Sequence, residues 1–186
     1  PFSILLCKLF SKLLSCTEEF DISADVHQQI TELHNLCFSQ SQSRSYYKQL
    51  PHFRYLVYLE DELIAHMGVD HRVIRVGDAV LTIFGVIDLC VKPSHQRQGI
   101  ASQLLTLLTK LAQEKSIDFL FLVSHCDSIY LNNGFQAVSQ ECSWLGIEEH
   151  QNCGVLKETI EENFMIKQTS NKLWVDEPID LLGYMF

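Results

Sequence analysis

Three runs of residues in extended period, parted by two-residue breaks, precede a switch to helical period, and that order leaves few folds open. Residues 55–59 read as a strand, Asp61-Glu62 as a turn, 63–75 as a long strand, Gly77-Asp78 as a second turn and 79–91 as a third strand. Strands joined this tightly pair antiparallel, as a meander. After a polar connection at 92–98 that holds Pro93, Ile100, Leu104, Leu107, Leu108 and Leu111 fall on one face of a helix ending near Lys115. Residues 119–123 form a continuous apolar run, as in a strand buried on both faces. Ser128 to Asn133 reads as a short helix closed by Gly134. Upstream, Val26, Ile30, Leu33 and Cys37 mark an amphipathic helix within 21–39, with Ser23 or Asp25 placed to cap it. A polar loop at 39–45 and a short helix near 46–50 follow. Beyond Phe135 the pattern weakens to two strands near 137–145 and 164–169. The expected fold is mixed α/β (α+β), a central mixed sheet with an antiparallel meander and flanking helices, in one domain over 1–186.

Composition narrows the function. The net charge of −9 argues against nucleic acid, whose binding needs clustered Lys and Arg, and is compatible with a cationic partner. The seven cysteines form no CxxC pair, so they read as reduced thiols of a cytoplasmic protein. His150 and Cys153 have ligand-like spacing, but two ligands do not make a site, and no metal is expected. In the first sixteen residues Lys8 and Lys12 interrupt the apolar pattern, which does not suit an export signal. Phe2, Leu6, Leu9 and Leu13 fit an amphipathic helix, although residues 1–15 could equally hold an extension or a first strand. The apolar run 79–91 is too short to span a bilayer as a helix, so no membrane partner is expected.

The chemistry concentrates where the third strand runs through a loop into a helix, from Val86 to Ala101. The first amides of a helix have no acceptor within it and lie at the positive end of its dipole, which makes an anion site suited to a pyrophosphate. Gly99 allows close approach of the backbone, Ala101 is too small to obstruct it, and Gln96, Arg97 and Gln98 can add side-chain donors. The commoner meaning of such a segment is a plain helix N-terminus. Other phosphate loops fit worse, since neither GxxxxGK[ST] nor GxGxxG is present.

The stretch Gln96-Arg97-Gln98-Gly99-Ile100-Ala101 resembles the Q/R-x-x-G-x-G/A signature of the GNAT superfamily of acyl-CoA-dependent N-acyltransferases. Leu89, Val91 and Pro93 match its L-x-V-x-P strand end, and Tyr130, Gly134 and Phe135 its Y-x-x-x-G-F. The order of elements agrees from about Asp21 to Phe135. The resemblance implies acetyl-CoA as co-substrate. Leu89, Cys90 and Val91 would line its pantetheine, and the amides from Gln96 to Ala101, Ile100 among them, its pyrophosphate. Where many members carry Asn after the strand at 119–123, this chain has Ser124, which could take that contact.

The same resemblance suggests catalytic roles. Asp88, the only charge in its strand, is the candidate base, and strict alternation would put it on the opposite face from Leu89 and Val91. A carboxylate near ~3.9 is a feeble direct base for an amine near ~10.4, so Asp88 would act through water or hold the cation. The implied acid is Tyr130, whose phenol can protonate a leaving thiolate. Each has a plain alternative: a buried Asp satisfying backbone groups, and a core Tyr. A Cys–His nucleophile at His125 and Cys126 lacks an orienting third group. His66 and His71 lie on the long strand, and His66 is a candidate contact for the acceptor.

Residues 64–67, 72–74 and 77–79 and an acidic, aromatic tail are also similar to the aminoglycoside 2′-N-acetyltransferase branch. That likeness would place Asp176, Asp180 and Phe186 at the acceptor, within an acceptor-side region at 136–186. Three readings follow: transfer to a small cationic amine, transfer to a peptide or protein amine, and a CoA-binding module without turnover. A monomer or a homodimer fits any of them.

Overall fold

The computed structural model describes residues 12–124 and 127–186, without the side chains of residues 12, 127, 162 and 163. Among the described residues, eight strands and three α-helices follow in the order β1 (Lys12–Glu18), α1 (Ala24–Cys37), β2 (Phe53–Leu59), β3 (Glu62–Val76), β4 (Ala79–Val91), α2 (Ile100–Glu114), β5 (Phe119–Val123), α3 (Asp127–Asn132), β6 (Gln136–Glu148), β7 (Gln151–Gln168) and β8 (Ile179–Tyr184). The strand order is β1-β2-β3-β4-β5-β7-β6-β8, with parallel pairs at β4–β5 and β6–β8, so the sheet is mixed as expected. The segment preceding Lys12, and with it Phe2, Leu6 and Leu9, lies outside the described residues; Leu13 belongs to β1. Among the described residues no helix is long and apolar enough to cross a membrane.

The chain divides into two compact units. One joins residues up to Val69 with Ile87–Leu104, and the other joins Asp70–Val86 with Leu105–Phe186. In the first unit β1, β2 and the first part of β3 pair antiparallel, β2 with β3 from Phe53↔Val69 to Leu59↔Glu62 with a register shift between Val57 and Tyr58. Ser23 caps α1 by accepting from the Val26 amide at 3.3 Å. The helix buries Ile30 and Leu33 in a cluster with Leu56, Leu63 and Cys90. Residues 46–50 hold only a bend at 47–49, not the short helix expected, and the first turn falls at Glu60-Asp61, one residue earlier than expected.

The second unit has a core of its own, which includes Ile74, Leu81, Ile83, Phe119, Phe121, Phe164 and Ile166. Asp118 joins three segments there: its carboxylate accepts from the Thr82 amide (2.8 Å), Ser170 (3.1 Å) and Lys172 (2.8 Å). The region beyond Phe135 departs most from expectation. β6 and β7 form one long hairpin, 13 and 18 residues, where two short strands are expected, and β8 is an additional strand. Its turn residues Glu149 and His150 both have positive φ, 47° and 60°, the type I′ geometry that suits the twist of a hairpin. Glu-His carries none of the usual Asn-Gly signal, and residues 151–159 are exposed, so they show no alternation to read.

The tail docks on this core. Trp174 donates from Nε1 to Gln140 at 2.6 Å and meets Phe119 edge-on at 5.2 Å. The Phe186 ring sits over Gly85, where an added Cβ would fall well inside van der Waals distance of three ring carbons. Gly85→Ala is therefore expected to expel that ring and cost about 1–3 kcal/mol. Added to Phe186→Ala, the same change should cost markedly less, a non-additivity that urea midpoints of the four proteins would measure.

Candidate active site

In the first unit, β4 ends in the strand–loop–helix segment singled out above. Asp88 has φ +49°, a left-handed residue inside a strand, the mark of a bulge. Alternation therefore cannot be carried past it, and the expected opposition of Asp88 to Leu89 and Val91 does not follow. Downstream, the Lys92 amide bonds to the Ile64 carbonyl at 2.8 Å, and residues Pro93–His95 make a single 3-10 turn. Two left-handed residues follow, Arg97 at φ +59° and Gly99 at φ +78°. Gln103 then donates to the Gly99 carbonyl at 3.0 Å, the first bond of α2. The amides of Ile100 and Ala101 precede that bond and so have no acceptor within the helix. A Cβ built on Gly99 would meet nothing within 4 Å, so the open space at the loop is real and the glycine answers its φ.

Gln96, Arg97, Gln98 and Gly99 are all exposed, as an anion cradle requires, while Ile100 anchors its side chain in the interior. The Gln96 amide does not face outward as expected; it turns back to donate to the Val91 carbonyl at 3.1 Å. Cys37 Sγ also approaches that carbonyl, at 3.4 Å. With its carbonyl engaged, Val91 has its amide left to offer. Cys90 has a buried side chain, so only its backbone could serve a ligand.

Asp88 stands at the edge of a buried polar network that sequence reasoning missed. Its centre is Arg54 on β2, 1% exposed, held by the Glu19 carboxylate through Nε at 2.5 Å and Nη2 at 2.9 Å. Arg54 Nη1 also donates to the Ser45 carbonyl and lies 3.0 Å from His66 Nε2. A guanidinium has only donors, so His66 Nε2 must accept and the His66 proton must sit on Nδ1. That Nδ1–H faces His34 Nε2 at 3.1 Å and the Asp88 carbonyl at 3.3 Å. The His34 proton is then on Nδ1, which is buried without a partner. His66 is fully buried, so the expectation that it touches an acceptor is corrected: it lies behind the Asp88 backbone.

Charges follow this packing. Burial pushes the Asp88 carboxyl up, and the cations of Arg54 and Lys48 partly oppose that rise. Burial, then the charge of Arg54, pushes His34 down from 6.5 to about 4, and burial holds His66 well below its ordinary value. Below pH 6.5 the unfolded chain takes up protons that the folded chain refuses until about 4, so stability falls as pH drops through that window. His34 alone should cost roughly 2 kcal/mol between pH 7 and 5. Melting temperatures at the two pH values should therefore differ less for His34→Gln than for the parent.

His34, His66 and Cys90 hold ligand atoms within 4.8 Å of one another, a spacing a metal ion could use. The proton pattern opposes it. A metal on His66 Nδ1 would put the proton on Nε2, facing a guanidinium that cannot accept it, and the Arg54 cation stands beside the set.

The other expected residues belong to the second unit. Tyr130 on α3 is buried, edge-on to Phe135 at 5.7 Å, with its carbonyl taking the amides of Asn133 and Phe135. Ser124 follows β5 and is half-buried. Asp176 is exposed, and the Asp180 carboxylate accepts from the Leu182 amide at 2.9 Å. The guanidinium of Arg72 lies 3.6 Å from the Tyr184 ring centroid and 4.3 Å from that of Phe186, and its Nη2 pairs with Asp70 at 2.5 Å. The Phe186 ring packs on Gly85, Phe121 and Arg72. His125 and Cys126 lie outside the described residues.

Comparison with known proteins agrees with this geometry. The family described as an acetyltransferase (GNAT) domain matches residues 21–138. No curated protein matches the sequence. Among solved structures, the GNAT family N-acetyltransferase YhbS from Escherichia coli, in complex with CoA, is 14% identical with a TM-score of 0.64 over 94% of this chain and 92% of that one. The ribosomal-protein-S18-alanine N-acetyltransferase from Escherichia coli is 12% identical, with a TM-score of 0.55 over 88% of this chain and 100% of that one. A GCN5-related N-acetyltransferase from Anabaena variabilis is 18% identical, with a TM-score of 0.59 over 70% of this chain; this chain spans 34% of its length. Likeness at such identities shows the fold, and the similarity to the aminoglycoside branch rests on the sequence alone. The family match covers well over half of the residues, and the chain belongs to the GNAT acetyltransferase domain family.

Proposed function

We propose that the chain is an acetyl-CoA-dependent N-acetyltransferase acting on a primary amine of a small, cationic acceptor. The observation that carries this reading is the loop between β4 and α2: exposed, left-handed at Arg97 and Gly99, open above Gly99, and continuous with the first amides of α2. Backbone donors in that arrangement suit a pyrophosphate. The CoA named with the YhbS structure is consistent with that ligand class.

Acetyl-CoA supplies the activated acetyl group when bound. Ile100 and Ala101 would offer amides to its diphosphate, Leu89 and the Val91 amide would face the pantetheine, and Ser124 would replace the Asn of other members. Asp88 removes a proton from the acceptor ammonium through water, since even raised by burial its carboxyl is a weak base for an amine. Tyr130 holds the phenolic proton that the departing thiolate needs. The acceptor amine attacks directly, with no acyl-enzyme, and its cationic character agrees with the net charge of −9. Asp176 and Asp180 keep their carboxylates on the tail as candidate contacts for such an acceptor.

Thiol release from acetyl-CoA across aminoglycosides, polyamines and short peptides tests the assignment. Turnover with small polyamines or amino-sugars supports it. Turnover only with peptides would move the acceptor to a protein amine, and CoA binding without turnover would leave a binding module.

A further inference from the structure

We propose that His66 is a positioning residue: its Nδ1–H steers the carbonyl of Asp88 and, through that peptide, the amide of Leu89. The proposal rests on the acetyl-transfer reading above, in which Leu89 faces the pantetheine and Asp88 takes the proton of the acceptor. Asp88 interrupts β4 with φ +49°, a conformation that a residue other than glycine keeps where its surroundings fix it. The side chain that meets its carbonyl is His66 on β3, through Nδ1 at 3.3 Å.

The ring that donates there has little freedom. It is fully buried, and Arg54 Nη1 stands 3.0 Å from Nε2, which obliges Nε2 to accept and leaves the proton on Nδ1. Arg54 is itself fixed by two bonds to the Glu19 carboxylate. His34 Nε2, at 3.1 Å, shares the same proton and braces the ring against α1. A trans peptide is planar, so its C=O and N–H point in opposite directions. With the Asp88 carbonyl turned toward His66, the Leu89 amide points away from it. Loss of the Nδ1–H frees that peptide to rotate and the bulge to relax, which takes the Leu89 amide and the Asp88 carboxylate out of alignment together. Glu19, Arg54 and His66 thus form a rigid line that ends on the backbone of the reacting strand.

Two substitutions in the full chain separate this role from packing. Asn carries its amide near the place of Nδ1, so His66→Asn keeps a donor for the Asp88 carbonyl and gives up the acceptor of Arg54. Gln reaches the place of Nε2, so His66→Gln keeps that acceptor and gives up the donor. With acetyl-CoA and whichever amine of the panel the parent acetylates, His66→Gln should lower kcat about 100-fold with CoA affinity within about threefold. His66→Asn should keep kcat within about fivefold while unfolding at lower urea than His66→Gln. Packing alone would not make the less stable variant the more active one. In the free protein the carbonyl carbon resonance of Asp88 should move in His66→Gln and hold in His66→Asn. Equal losses of kcat in the two variants, or an Asp88 carbonyl unmoved in His66→Gln, would overturn the proposal. If the parent acetylates no amine, the acetyl-transfer reading falls and the carbonyl resonance decides the positioning by itself. Should either variant fail to fold, the ring nitrogen resonances of His66 in the parent decide: a proton on Nδ1 supports the proposal and a proton on Nε2 overturns it.

Discussion

Asparagine at Asp88 is expected to lower kcat by two to four orders of magnitude while leaving the affinity for CoA within about twofold. The substitution is a clean one for a backbone reason. Asp88 holds φ +49°, a conformation that Asn and Asp tolerate and most side chains resist, so Asn keeps the bulge and removes only the charge. Asn also keeps the carbonyl that faces His66 Nδ1. Single-turnover acetyl transfer at saturating amine, with CoA affinity measured by calorimetry, separates chemistry from binding. A kcat within threefold of the parent would remove Asp88 from the proton path. Because burial raises the carboxyl above its usual range, the parent's kcat/KM should fall on the acid side at a pH above that of an ordinary aspartate.

Arg54→Met carries the largest expected loss of stability, about 3–5 kcal/mol. Methionine fills similar volume, so the loss measures unpaired polar groups more than a cavity. Glu19 keeps its carboxylate at 11% side-chain exposure with its partner gone, and Ser45 and His66 Nε2 lose their donor. Adding Glu19→Gln should restore part of the loss, which equilibrium urea unfolding would resolve. A second readout separates this from packing. Arg54 lowers the Asp88 carboxyl, so its removal should move the acid limb of kcat/KM to higher pH. Unchanged stability in Arg54→Met would contradict the buried network.

Much of this was legible in the sequence wherever one face of an element is buried. Residues 79–91 and 119–123 read correctly as strands because their apolar runs reach the core, and α1 was marked by Ile30, Leu33 and its Ser23 cap. The loop at Gln96–Ala101 was legible through its glycine. The hairpin beyond Phe135 was not, since neither face of 151–159 is buried and its turn uses Glu149 and His150. The Arg54 network was missed although its signal was present. Arg54 is the lone charge in the apolar strand FRYLVYL, the same argument that picked out Asp88, and His34 falls on the apolar face of α1 with Ile30 and Cys37. The pairing of Glu19, Arg54 and His66 joins residues far apart in sequence, which periodicity does not report. The packing of the Phe186 ring was not legible either, because a chain read in one dimension gives no sign of the slot above Gly85.

The left-handed backbone at Asp88 also limits how the chain can evolve. A longer carboxylate would be the obvious way to move the base toward an acceptor, and Glu can hold this conformation, as Glu60 (φ 54°) and Glu149 (φ 47°) do, whereas a β-branched residue would be strained there. A lineage that lost turnover while keeping the fold would drift to Asn or Gly at this position. Directed evolution toward a new amine would accordingly find its gains on the residues around Asp88 and in unbranched replacements at position 88, with β-branched ones disfavoured there.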